Sequence, residues 1–162
     1  MADPVTLERK TPMRRTPMPR AAAREREREK KRIPRRQTGP TATARDIVWA
    51  RAGGRCEVCA GPLAGALGFS IHHRLPRRMG GSRRPELNTQ ANLLAVCGSG
   101  TTGCHGRIES NRTRAYEDGL LLRADQAPTD VPAMLADPNH PSHWPRLVWL
   151  HDDGTITEEP TE

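Results

Sequence analysis

A small α+β domain with a disordered basic arm at its N-terminus is what the sequence predicts, on three observations. Short apolar runs of strand length alternate with short helical patterns between residues 41 and 125. Four cysteines fall into two pairs, at Cys56/Cys59 and Cys97/Cys104, with nothing left over. The first forty residues are rich in proline and arginine and lack any apolar periodicity. The chain therefore divides into an arm (1–40), a core domain (41–125) and a Pro-rich extension ending in a β-hairpin (126–162).

The arm carries the charge. The net formal charge is +7, but residues 1–40 contribute +8 and the rest of the chain −1. Thr-Pro-Met occurs twice, at Thr11 and Thr16, and proline at this density prevents a helix or a ladder. The Arg/Glu alternation at 24–32 attracts at i,i+3 and repels at i,i+4, which makes a marginal helix at best. Such an arm suits salt-sensitive, sequence-independent contact with nucleic acid, and equally a solubilising tail. Arginine dominates over lysine, 23 to 3, which fits phosphate clamping; a GC-rich genome would produce the same bias.

Within the core, residues 43–52 form the first expected helix, capped by Thr43 and stopped at Gly53 and Gly54. Residues 69–73 are a short strand, followed by an Arg/Gly/Pro-rich loop and a second strand at 92–97. Cys104 and His105 open a helix running to about Tyr116, and residues 119–123 read as another short strand. Residues 124–146 look irregular. Asp153 and Gly154 are a favoured tight turn, so 146–157 reads as a hairpin, with Leu147 and Trp149 inward or docking a partner. No apolar run approaches a membrane span, and no apolar segment follows the basic N-terminus as a signal peptide requires. The expected setting is the cytoplasm, with reduced thiols and no membrane partner.

Cys56 and Cys59 have the Cys-x-x-Cys spacing that lets one knuckle present two thiolates to one metal. Cys97 and Cys104 are separated by six residues, three of them glycine, flexible enough to fold back. In a reducing compartment two such pairs predict a structural zinc site, closed to chemistry. The competing readings are a redox pair at Cys56/Cys59 or four unrelated thiols.

Between the pairs lie His72 and His73. Adjacent strand residues point to opposite sides, so one ring can bind metal while its neighbour faces a substrate. Asn92 begins the second strand, and His105 follows Cys104 directly. The order Cys-x-x-Cys, His-His, Gly-Gly, Asn-Leu-Leu, Cys, Cys-His, and above all residues 97–110, resembles the HNH endonuclease family with its ββα-metal (His-Me) finger, most closely the small HNH proteins of bacteriophages. The resemblance covers roughly residues 42–125. It implies that His72 and His105 hold a catalytic divalent ion, that His73 is the general base, and that Asn92 pins the loop around that base. Where some relatives carry a third histidine, this chain has Glu109, one helical turn from His105 and a candidate ligand directly or through a water. A carboxylate beside two imidazoles favours magnesium or manganese, with zinc or nickel as alternatives.

The expected reaction is metal-dependent hydrolysis of DNA phosphodiester bonds, by nicking or double-strand cleavage, leaving a 5′-phosphate and a 3′-hydroxyl. Arg74, Arg77, Arg78, Arg83, Arg84 and Arg107 are the expected contacts to double-stranded DNA. They read as phosphate clamps with no base readout, so little sequence specificity is expected. The resemblance further implies work with a phage terminase large subunit and portal in genome packaging, in the host cytoplasm. The runner-up is a zinc-stapled DNA-binding accessory module whose HNH site is degenerate and inactive.

Overall fold

The computed structural model describes residues 24–26, 38–77, 84–137 and 145–158. Two units emerge, residues 1–37 and residues 38–162. Of the first, residues 24–26 are helical and exposed; the rest of the expected arm up to residue 37 lies outside the described residues. The second unit is a small mixed α+β body. Among the described residues, no helix is long and apolar enough to cross a membrane.

Helix α1 spans Ala42–Ala52. Thr41, not Thr43, is its cap: the Thr41 hydroxyl accepts from the Ala44 N–H at 3.1 Å. Ala44, Val48 and Ala52 form its buried face. Strand β1 (Phe69–His73) pairs antiparallel with β2 (Leu93–Cys97), in a register that sets His72 opposite Leu94 and His73 opposite Leu93. Leu93, Leu94, Ala95 and Val96 are all fully buried. That two-faced burial explains why β2 reads as a continuous apolar run with no alternation.

The helix expected to run to Tyr116 is two helices, α2 (Gly103–Ser110) and α3 (Arg112–Glu117). Asn111 interrupts them. Its backbone leaves helical geometry (φ −117°, ψ 68°), and its side chain accepts from the Arg114 N–H, restarting the helix. Residues 119–123 are a turn and bend, not the expected strand. Their backbone donors instead reach Ala115 O, from Leu120 and Leu121, and Arg74 O, from Leu122.

The stretch from residue 126 is part of the same unit, and it holds a strand where none was expected. Strand β3 (Ala133–Ala136) pairs antiparallel with β4 (Pro145–Leu150), which pairs with β5 (Ile156–Thr157). The expected hairpin forms, with its facing reversed. Val148 and Leu150 are fully buried, while Leu147 is 44% exposed and Trp149 half-buried. The pairing of Ala133 with Val148 fixes that choice. Ala133, Leu135, Val148 and Leu150 join Val48, Leu93 and Ile108 in the main core.

One buried ion pair ties the cysteine knuckle to this core. The Arg51 guanidinium forks onto both Glu57 carboxylate oxygens at 2.7 and 3.1 Å and also donates to Gln90 O and Leu93 O. Glu57 in turn accepts from Ala95 N–H at 2.6 Å. Every charge in the set is paired and hydrogen-bonded, the condition under which burial is tolerated.

Candidate metal centres

Two clusters of potential ligands lie side by side. The first is sulfur. Cys56, Cys59, Cys97 and Cys104 each offer an Sγ, all within 4.8 Å of one another, and all four are free thiols. A tetrahedral zinc with Zn–S near 2.3 Å requires sulfurs about 3.8 Å apart, and Cys59 Sγ lies 3.9 Å from Cys97 Sγ. The knuckle is folded by Cys56 N–H to Gly61 O and Ala60 N–H to Cys56 O. The six-residue insert closes on itself: Ser99 and Thr102 exchange backbone hydrogen bonds, and Gly98 (φ +84°) and Gly103 (φ +62°) take left-handed backbone. A Cβ on Gly103 would sit 2.6 Å from Cys97 O, and one on Gly98 would strike the Thr102 carbonyl.

The surroundings favour thiolate at Cys56, while the hydrogen bond with Cys56 pushes Cys104 up and burial pushes Cys59 up. Cys97 N–H points at Cys56 Sγ and Cys104 N–H at Cys97 Sγ, both at 3.4 Å. The Arg107 guanidinium lies 2.8 Å from Cys104 Sγ. The Cys56 thiol is pushed down to about 4, chiefly by the hydrogen bond from Cys104, with backbone donors adding to it. The donor set fits a structural zinc.

The second cluster is His72, His105 and Glu109, each offering an atom within 4.8 Å of the others. His72 comes from β1, and His105 and Glu109 from one face of α2. The two imidazoles meet edge to face, centroids 5.1 Å apart. His72 is buried, and its Nε2 donates to Leu120 O at 2.9 Å, which leaves Nδ1 with the lone pair. The Nδ1 of His105 is buried with no hydrogen-bond partner, as expected of a nitrogen reserved for a cation. Burial pushes the His72 ring down to about 4 and lowers His105 as well, so both rings are neutral at pH 7, the form that can bind a cation. Glu109 is exposed and holds Arg112 at 3.0 Å. Two nitrogens and an exposed carboxylate fit a divalent ion that keeps waters.

His73 is the next residue on β1. Its Nε2 lies 3.4 Å from Asn88 Oδ1, so the amide fixes which nitrogen carries the proton and leaves Nδ1 with the lone pair. Burial first, then the charges of Arg77 and His105, lower its pKa, against the opposing pull of Asn88. Asn92 is fully buried and touches backbone on both sides of the loop. Its Oδ1 accepts from Leu75 N–H at 2.6 Å and its Nδ2 donates to Leu87 O at 2.9 Å. Asn92 thus holds the chain two residues beyond His73 and one residue before Asn88. The sequence reading missed Asn88; an asparagine in a polar loop carries no periodic signal.

The arginines divide. Arg74, expected on DNA, is instead fully buried. Its guanidinium donates to the carbonyls of Gly119, Ala91, Pro128, Val131 and Pro132. Burial brings it down to about 9, still cationic at neutral pH. As the second residue after His72 on an extended chain it turns to the same inner side, which is why it cannot reach solvent. Arg107 faces the cysteine cluster, as above. Arg77 donates to Thr38 Oγ1, and Arg84 to Glu86 and Ala124 O. Arg78 and Arg83 lie outside the described residues. Comparison with protein-family models, with curated proteins and with solved structures finds no match.

Proposed function

We propose that the chain is a metal-dependent endonuclease of the HNH type that hydrolyses DNA phosphodiester bonds. The observation that carries this reading is the grouping of His72, His105 and Glu109 within 4.8 Å, with His73 next to it on the same strand. The order of β1, β2 and α2 around that grouping supports a ββα-metal finger. The neighbouring thiol cluster supports a zinc that holds the same hairpin and helix together.

Phosphodiester hydrolysis needs an activated water, neutralised charge on the phosphate and help for the leaving oxygen. His72 and His105, with Glu109, would hold a divalent ion, magnesium or manganese by donor type. Such an ion supplies positive charge at the scissile phosphate and the leaving 3′-oxygen. His73, neutral at pH 7 and with Nε2 on Asn88, takes the proton from water at Nδ1. Asn92 keeps that geometry by fixing the backbone at Leu75 and Leu87. One such site cuts one strand.

The test is nicking of supercoiled plasmid in magnesium or manganese. His73→Ala is expected to lower the rate about 10²–10⁴-fold, the range for a lost general base. Equal background from wild type and His73→Ala would overturn the enzyme reading and leave an inactive DNA-binding module.

A further inference from the structure

A second surface adjoins the candidate centre. A groove of about 550 Å³ has a rim of Arg77, Arg84, Arg112, Tyr116 and Arg123. Its floor is the small second core of Leu75, Leu87 and Leu122. That floor is rigid: Asn92 grips Leu75 and Leu87, and Leu122 N–H bonds Arg74 O at 2.7 Å. Among the described residues, its rim has four guanidinium groups and no carboxylate.

The rim is organised around one ring. Arg112 and Arg123 lie over Tyr116 at 5.8 and 5.2 Å from the centroid, and Arg112 also reaches the Tyr116 hydroxyl at 3.3 Å. Cation–π contact orders long side chains without neutralising them. Arg84 is held by Glu86 and Ala124 O, Arg112 by Glu109. Among the described residues, no carboxylate pairs with Arg77 or Arg123. The unit that bears this rim has a nearly neutral sequence beyond residue 40, so the concentration of charge here is local. Arg112 is also one ion pair from Glu109, a member of the histidine cluster. The groove therefore opens beside the candidate catalytic centre.

We propose that this groove binds the phosphodiester backbone of the DNA strand flanking the scissile phosphate, with Arg77, Arg112 and Arg123 on successive phosphates and Tyr116 as their scaffold. The proposal rests on the nuclease reading for the position of the scissile bond, but binding in the groove is measured without cleavage. Arg112 and Arg123 come from the second helix and the segment after it, outside the loop that the sequence marks as basic.

The experiment is fluorescence anisotropy of a labelled 30-bp duplex with the full-length chain in a His73→Ala background, across a KCl series. An Arg77→Ala/Arg123→Ala pair is expected to weaken binding and to reduce the slope of log K against log[KCl] by about 2, since each phosphate contact contributes about 0.9. Arg45→Ala, on exposed α1, leaves the slope unchanged, and the basic arm contributes equally to all variants. Circular dichroism checks that the substitutions at half-buried Arg77 and at exposed Arg123 and Arg45 leave the fold intact. An unchanged slope and affinity in the double variant, or no duplex binding by the His73→Ala chain, would overturn the proposal. A groove-dependent slope with no plasmid nicking by wild type would sink the nuclease reading and keep the groove as a DNA site.

Discussion

The two ligand clusters differ in almost every respect except location. The cysteine cluster gathers four identical donors from a knuckle, a strand end and a helix start, and receives N–H groups from Cys97, Cys104 and Arg107. It is complete. The histidine cluster has three mixed donors, one of them exposed, and one buried nitrogen without a partner. It is incomplete in the way a site that must admit water and substrate is incomplete. Cys104 and His105 are neighbours in sequence, yet each belongs to a different cluster. One short helix start thus serves both a closed site and an open one. The proposed staple and the proposed chemistry can therefore be tested separately by mutation, residue by residue.

The sharpest break of that comparison is at sulfur. Cys56→Ser or Cys104→Ser is expected to unfold residues 38–162, because structural zinc contributes on the order of 10 kcal/mol to small folds. Circular dichroism with elemental analysis checks it, and a well-folded zinc-free variant would remove the staple from the account. His105→Ala should do the opposite. It should keep the circular dichroism spectrum while plasmid nicking falls to background, at least about 10²-fold.

Next in size is Arg74→Met, which deprives five carbonyls of their donor. Loss of about 3–5 kcal/mol is expected by urea titration, the range for breaking a buried charged network. Arg74→Lys should not restore it, since one ammonium cannot span five acceptors. The smallest effect is acid sensitivity at His72. Its folded pKa, near 4, lies below the ordinary 6.5, so between those values the unfolded chain binds the extra proton. The contribution of the neutral ring is whole above pH 6.5 and is lost as pH falls toward 4. That amounts to about 3 kcal/mol for a buried ring at 1.36 kcal/mol per unit. Urea midpoints at pH 7 and pH 4.5 should differ less in His72→Phe than in wild type; an equal difference would place the acid response elsewhere.

Spacing made the candidate ligand residues legible. Cys-x-x-Cys, the paired histidines and the Cys-His step each put chemistry at fixed offsets, and the structure brings those side chains together. Facing was less legible. Leu147, Val148, Trp149 and Leu150 are four apolar residues in a row, so period two is silent there, and the choice of Val148 and Leu150 came from pairing with β3. Buried charge was the least legible of all. Arg51, Glu57 and Arg74 look like surface residues by type, and only long-range partners 6 to 58 positions away make them interior. Arg74 shows this best: its place in an arginine-rich stretch suggested a phosphate contact, and the strand geometry gave it to the core.

That buried guanidinium also imposes an order on folding during synthesis. Three of its five acceptors, Pro128, Val131 and Pro132, are translated more than fifty residues after Arg74 itself. Until they arrive, the strand bearing His72 and His73 would enclose an unsatisfied cation, which is strongly disfavoured. A nascent chain stopped short of residue 128 can make both cysteine pairs and both histidines, yet it lacks the means to close the strand that carries them. The ribosome thus finishes the clasp before the site beside it is held in its final shape.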